Sequence, residues 1–501
     1  MSRLLHAELT KFRTVRGLVL GTVATAALIV GLGLFVAANS VSVCSKGTVD
    51  VECPTPPAGP GGESVRDKFY FVHKPLPGDG TITVRVTSMT GIITYPPPNH
   101  DTIVPGLVPW AKAGIIAKRG TTEGSGYVAL MTTAEHGVRL QHDFVHDVAG
   151  LPGAVSTGAP RWLRLTRVGG TLTGEESADG VTWTRVGTAT LTGPVEIGLF
   201  VTSPSDLTVH NGVGGGTAQA RLSTTTATFD NLGLTGAVPG GGWLRDDVGA
   251  DPEPDGPVHH PGSAEESAGV WTVSGNGDIA PLAGEGPGTQ MTLLGLVIGL
   301  IVVIVVAVQF ITAELRLGLV GVTALTAPGR ARILLAKAAV LGAAMFAAGT
   351  AAAAFVVPVA ERVLHANGSR RPFLPVPDVV TLSLTVGLLT AGVALLALGL
   401  GALVRRSLPA AGLAVAVVVL PYLAAVVGGL PAGASQWLLR VTPAAAFAVQ
   451  QTEPAYAHVI ANYVPMAGYF PLPAWGGLAV LAGYATLTLV LAGVRLRRAD
   501  L

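Results

Sequence analysis

ITAELRLGLVGVTALTAPGRARILLAK, residues 311–337, fixes the fold class. It is the only substantial polar break between two long apolar runs. It carries Glu314, Arg316, Arg330, Arg332 and Lys337, with a Pro328-Gly329 turn signal in the middle. A short basic segment flanked by apolar spans reads as a cytoplasmic loop that holds one or two short helices.

Working outward, the composition agrees with a membrane protein. Of 501 residues, 49% are hydrophobic and only 13% are charged. The mean hydropathy is +0.53, more apolar surface than a soluble chain ordinarily buries. The net charge of +1 hides an asymmetry. Residues 40–288 hold 15 Lys/Arg against 25 Asp/Glu, a net of −10. The remainder holds 17 against 6, a net of +11, so an acidic soluble block interrupts a basic membrane block. The basic residues are spread over short loops beside apolar spans, which excludes nucleic acid as a partner. Arg outnumbers Lys 25 to 7, with Ala, Gly and Val abundant, a composition like that of a high-GC bacterial proteome.

Six transmembrane helices are expected, at about 17–39, 291–313, 333–359, 379–404, 408–427 and 475–494. Before the first, residues 1–16 place Leu5, Leu9 and Phe12 at i, i+4 and i+7, with Lys11, Arg13 and Arg16 on other faces. That is an amphipathic helix lying on the inner membrane surface. A cleaved signal peptide is the rival, but the apolar run is long for one and its AANS end is a weak cleavage site. Lys/Arg placement sets the orientation: both termini, the 314–337 loop and Arg405-Arg406 inside, the acidic block outside. The expected location is the cell membrane, with a large extracytoplasmic domain. Within 429–474, WLLRVTPAAAFAVQ (437–450) reads as a helix at the outer interface, lying along it or re-entrant.

The outer block, residues 40–288, opens with Cys44 and Cys53, the only cysteines. An even count outside the membrane predicts one disulfide closing a small loop, the alternative being two free thiols. PTPPAGPGG (54–62) is a linker by composition. Short alternating stretches follow, among them TITVRVTSM (81–89), YVALMT (127–132), RWLRLTRV (161–168) and VEIGLFVT (195–202), separated by Gly, Pro and Asp turns. They predict an all-β antiparallel sandwich inserted between helices 1 and 2. WAKAGIIAKRG (110–120), PRWLRLTRVGGTLTGEESADGVTWTRVGT (160–188), EIGLFVTS (196–203) and ATFDNL (227–232) resemble the concanavalin-like or laminin-G-like jelly rolls of bacterial surface proteins. The resemblance implies a lectin-like domain over about 63–236, and Trp110, Tyr127, Trp162 and Trp183 are its candidate glycan-contact aromatics, with a core role as the alternative. Residues 237–288 are left open, as a Gly/Pro-rich stalk or as a segment whose GVWTVSG (269–275) completes a sheet.

Little in the chain points to catalysis. GPGGES near Gly59 lacks the lysine of a phosphate-binding loop. The carboxylates Glu175, Glu176 and Asp179 share one turn instead of facing each other across a cleft. His259-His260 alone cannot close a metal site. No cofactor, metal or catalytic residue is therefore expected in this chain. The spans are nearly free of charge, and an ion-coupled transporter keeps titratable groups there.

HAELTKFRTVRG (6–17), a large outward insert, and QFITAELRLGLVGVTALTAPGRARILLAKAAV (309–340) resemble the type-2 ABC exporter permeases of bacteria. The likeness covers nearly all of 1–40 and 289–501; the insert of about 250 residues is its main departure. It implies a six-span half-transporter paired with a second permease subunit, as homo- or heterodimer, and driven by a separate ABC ATP-binding subunit. The residues that match its pattern are Glu8, Lys11, Arg13, Arg16, Glu314, Arg330, Arg332 and Lys337, and the candidates for coupling are Glu8, Lys11, Arg13, Glu314, Arg316, Arg330 and Arg332. Arg330, Arg332 and Lys337 fit equally as positive-inside anchors. An alternative from another class is a membrane-anchored glycan-binding adhesion or sensing protein without transport.

Overall fold

The computed structural model describes residues 2–46, 49–94, 102–212, 215–236, 239–250, 261–283, 288–316 and 330–498. Most of the polar loop, 317–329 with its Pro328-Gly329 turn, lies outside the described residues, as does the side chain of Arg330.

Helix α1 (Ser2–Thr14) precedes α2 (Arg16–Asn39), and the elbow between them is a single extended residue, Val15. After the β region come α3 (Thr289–Thr292), α4 (Gly295–Arg316), α5 (Arg330–Ala366), α6 (Val376–Val404), α7 (Ser407–Val426), α8 (Ala432–Val441) and α9 (Ala474–Arg498). Among the described residues, six helices (α2, α4, α5, α6, α7 and α9) are long and apolar enough to cross a membrane, one before the β region and five after it. With 37 residues, α5 is about 55 Å long, well beyond a hydrocarbon core of about 30 Å.

Glycine lets two helices approach closely. A Cβ on Gly295 of α4 would lie 2.5 Å from the Leu28 carbonyl oxygen of α2, and one on Gly299 would lie 2.9 Å from the Ile29 side chain. The pair spaced by four thus forms a helix contact of the small-residue kind. Gly17, with the same spacing to Gly21, faces open space. Between α8 and α9 the chain turns into the bundle. Pro443–Gln450 forms a 3-10 helix whose every residue is buried, packed against α6, α7 and α9.

The β region is a sandwich of two antiparallel sheets. The first runs His146–Ala149, Val138–His142, Tyr127–Thr133, Lys112–Lys118, Val195–Thr202, Phe69–Leu76 and Leu244–Val248 in spatial order. The second runs Thr184–Thr190, Thr171–Ser177, Arg161–Val168, Gly80–Thr94, Ser223–Gly236, Val270–Gly275 and Ser263–Ser267, with Ile103–Pro105 on the long Gly80–Thr94 strand. The alternating residues of both sheets meet in one core that includes Val72, Ile82, Ile115, Leu163, Leu199 and Phe229. The stretch left open as stalk or strand completes the sandwich: Leu244–Val248 pairs with Phe69–Leu76, and Val270–Gly275 pairs with Ser223–Gly236. Cys44 and Cys53 are joined in a disulfide that closes the hairpin of Cys44–Lys46 and Val49–Val51.

One sheet departs from simple alternation. Every residue of Lys112–Lys118 and Tyr127–Thr133 is buried, so the middle of the first sheet is covered on both faces. Its far face carries a second core of Phe69, Phe71, Ile116, Tyr127, Phe144 and Phe200. The cover is the chain's own entry and exit, Val65–Asp67 paired with Ile279–Pro281. Two buried ion pairs pin this cover down: Lys118 Nζ to Asp67 Oδ2 and Lys112 Nζ to Asp278 Oδ1, each at 2.6 Å. Burial pushes the Asp67 carboxyl up and the Lys118 ammonium down, each opposed by the other's charge.

Candidate functional site

Four charges converge at the elbow end of the bundle. On α1, Leu5, Glu8 and Phe12 stand at i, i+3 and i+7, which puts a carboxylate inside the apolar stripe. Phe12 is buried and meets Phe310 of α4 edge-on at 5.7 Å. Glu314 follows Phe310 by one turn, and on α5 Lys337 lies within the buried run of Ile333, Leu334 and Leu341. The three helices therefore point charged groups at one another through the same packing that buries their apolar neighbours.

Lys337 Nζ lies 2.7 Å from Glu8 Oε2 and 2.7 Å from Glu314 Oε1. Lys11 Nζ closes the figure, 3.1 Å from Glu8 Oε1 and 3.2 Å from Glu314 Oε1. The Lys337 side chain is 0% exposed and Glu8 1%, while Glu314 is 13% and Lys11 37% exposed. Lys337 also sits over the Phe310 ring at 4.2 Å. Two cations and two anions cancel, so each buried charge is paired, the condition under which burial is tolerable. Burial lowers the Lys11 ammonium, but Glu8 and Glu314 outweigh it and hold it above its ordinary value.

Of the residues marked for coupling, the structure brings Glu8, Lys11 and Glu314 together and leaves Arg13, Arg316 and Arg332 exposed at the same end. Lys337, which matches the family pattern and fits equally as a membrane anchor, is the fourth member. Its signal was legible: a lysine at a position where the helical period calls for an apolar residue.

At the sandwich end the contacts are of another kind. His458, in the chain between the 3-10 helix Pro443–Gln450 and α9, is buried, and its Nε2–H donates to the Phe144 carbonyl at 2.8 Å. Val459 packs with Ala280 and Ala283 of the exit segment. The Ser42 N–H donates to the Asn367 carbonyl at 3.0 Å, the Asn367 amide to the Ala37 carbonyl at 3.0 Å, and Arg370 pairs with Glu52. The sandwich thus meets the segment before α9 at His458 and Val459, and the stretch that leads into it meets the chain just beyond α5.

The proposed aromatic contacts divide. Trp110 is buried, stacked on His136 at 4.0 Å, and Tyr127 is buried in the second core against Phe144. Neither offers a ring face to a sugar: Trp110 is packed away beside the sheet against His136, and Tyr127 lies on its covered far face. Trp162 and Trp183 are half-buried, with Arg85 5.6 Å from the first ring and Arg164 4.0 Å from the second. The turn carboxylate Asp179 accepts the N–H groups of Thr182 and Val181, which holds it well below the ordinary carboxylate range. Its role is to shape the turn. Among the described residues, no group of three or more His, Cys, Asp or Glu could hold a metal ion.

No family model matches the chain, and no curated protein matches it. Among solved structures, it is similar to a functionally unknown protein from Saccharomyces cerevisiae at 19% identity and a TM-score of 0.22, over 40% of this chain and 93% of that one. A scytalido-glutamic peptidase with a transition state analog inhibitor is similar at 8% identity and a TM-score of 0.25, over 43% of this chain and 100% of its own. At these scores neither likeness carries an argument about activity.

Proposed function

We propose that this chain is the permease subunit of an ABC-type exporter, embedded in the cell membrane with both termini cytoplasmic and the sandwich outside. A separate ABC ATP-binding subunit supplies the energy, and a second permease subunit completes the pathway, which opens alternately to either side. The outer domain recognises envelope glycan, cargo or a partner, through surfaces other than Trp110 and Tyr127.

The observation that carries this reading is the Glu8–Lys11–Glu314–Lys337 cluster. It ties the surface helix α1 to the neighbouring ends of α4 and α5, the two helices that flank the polar loop. An ATPase pressing on that loop would move all three together, because separating them strands charge away from water. A membrane anchor has no need of such a brace. The exposed Arg316 and Arg332 beside it are the side chains offered to the acidic surface of a partner.

The test is co-purification from solubilised membranes, read with wild type and with Arg316→Glu and Arg332→Glu together. An ATP-binding subunit that accompanies the wild type and is lost from the double variant supports the proposal. A wild-type chain that purifies without an ATPase refutes it and favours the adhesion or sensing role.

A further inference from the structure

Beside the charge cluster, α1, α2 and α5 enclose a groove of about 790 Å³. Its walls are apolar and partly of small residues: Leu5, Leu9 and Phe12 of α1, Val19 and Val23 of α2, and Ala339, Ala343 and Ala344 of α5. It opens sideways, for Leu9, Val19 and Val23 are exposed. Two cationic or cationisable groups, His6 and Arg13, also line it. Seven residues apart on α1, they share one helical stripe about 10 Å long. Both are exposed, and neither side chain has a hydrogen-bond or ion-pair partner among the described residues.

We propose that this groove binds one anionic phospholipid, with an acyl chain between the three helices and the phosphate at Arg13 and His6. Charge complementarity favours this occupant. All three helices contribute apolar wall, while the basic groups His6 and Arg13 come from the surface helix alone. An amphiphile with one anionic head matches that division. A second copy of this chain would bring the same basic α1 against it. The cytoplasmic leaflet supplies the lipid, since basic residues next to a span attract anionic headgroups. A lipid seated there would wedge the surface helix at a fixed height beside Glu8 and Lys11.

The proposal rests on the apolar helices being membrane spans, which fails separately if the chain stays dispersed without detergent. Native mass spectrometry of the full-length protein, in detergent with equal phosphatidylglycerol and phosphatidylcholine, provides the test. Wild type should retain phosphatidylglycerol preferentially. Arg13→Gln combined with His6→Gln should reduce that preference by about fivefold, the effect of about one basic residue near the surface. Ala343→Phe should reduce retention of both lipids; if that variant fails to fold, Thr22→Leu on the opposite wall replaces it. Equal retention of the two lipids by wild type overturns the proposal. So does a preference that survives the Arg13 and His6 changes, or a groove-filling variant that dissociates an oligomer and leaves lipid retention intact.

Discussion

The two ends of the helical bundle are fastened by different chemistry. At the α1 end, four charges from three helices close on one another, with Lys337 and Glu8 out of water. At the sandwich end, an imidazole donates to a carbonyl, small apolar side chains meet at Val459, and the Arg370–Glu52 pair is open to solvent. The two joints respond differently to strain. Opening a dry ion cluster leaves charges without partners, a penalty of several kcal/mol. Opening a neutral hydrogen bond to water forfeits a net of only about 0.5–1.5 kcal/mol. The first joint makes three helices one body; the second lets a domain shift. On the proposed function, force enters where the helices cannot separate, and the outer domain is attached where movement is inexpensive.

The comparison is tested most severely at Lys337. Lys337→Met removes the cation between two buried carboxylates and should destabilise the protein by about 3–5 kcal/mol. The measurement is the thermal unfolding midpoint in detergent. A loss under about 1 kcal/mol would show that water enters the cluster and that the α1 end is no stiffer than the other. Exchanging the charges sharpens the point. Glu314→Lys with Lys337→Glu keeps the sum of charges and should recover part of what each single change loses, with a coupling of about 0.5–3 kcal/mol. Strict additivity of the two changes would mean that the residues act separately.

The same cluster separates what local patterns in the chain reveal from what they cannot. The six apolar helices, the position of the sandwich in the chain and the Cys44–Cys53 bond follow from hydropathy, alternation and cysteine count, because those patterns express local periodicity. Glu8, Glu314 and Lys337 could each be singled out, and yet their pairing could not. Lys337 lies 329 residues from Glu8, and no local rule pairs such distant positions. The covered face of the first sheet was hidden for the same reason. Alternation in the stretch around Tyr127 described one buried face, while the second is created by Val65–Asp67 and Ile279–Pro281 folding across it from both ends of the domain. His458 stands in a loop with no periodic signal, and only its tertiary contact with Phe144 gives it a role.

At the sandwich end the expected effects are smaller and depend on pH. His458→Ala leaves the Phe144 carbonyl buried without its donor and should cost about 1–3 kcal/mol. Burial holds the His458 imidazole below its ordinary value of 6.5, with the Lys112 ammonium acting in the same direction and the bond to Phe144, Asp147 and Asp278 opposing. The released histidine therefore takes up a proton at a higher pH than the docked one does. The docked form is at full strength above about 6.5 and weakens as pH falls from there toward the lowered value. Thermal midpoints measured between pH 7.5 and 5.5 should fall more for wild type than for His458→Gln, which keeps an N–H donor that does not titrate. Parallel pH profiles would remove the histidine from the account.

Lys11 should matter least, and its smallness is itself informative. It touches the same two carboxylates as Lys337, at distances only about 0.5 Å longer. More than a third of its side chain is exposed, so water and salt screen most of that interaction. Lys11→Gln should lower stability by less than about 1 kcal/mol. The carboxylates hold its ammonium above 10.5, so its contribution is complete below that pH and fades only as pH rises through the raised value. Between pH 6 and 8 the difference between wild type and Lys11→Gln should be flat. Raising the ionic strength from about 0.1 M to about 1 M shortens the screening length from about 10 Å to about 3 Å. That change should erase the Lys11 difference and leave the Lys337→Met difference standing. If salt reduced both in proportion, exposure would not be what separates the two lysines, and the cluster would be a solvated surface network instead of a brace.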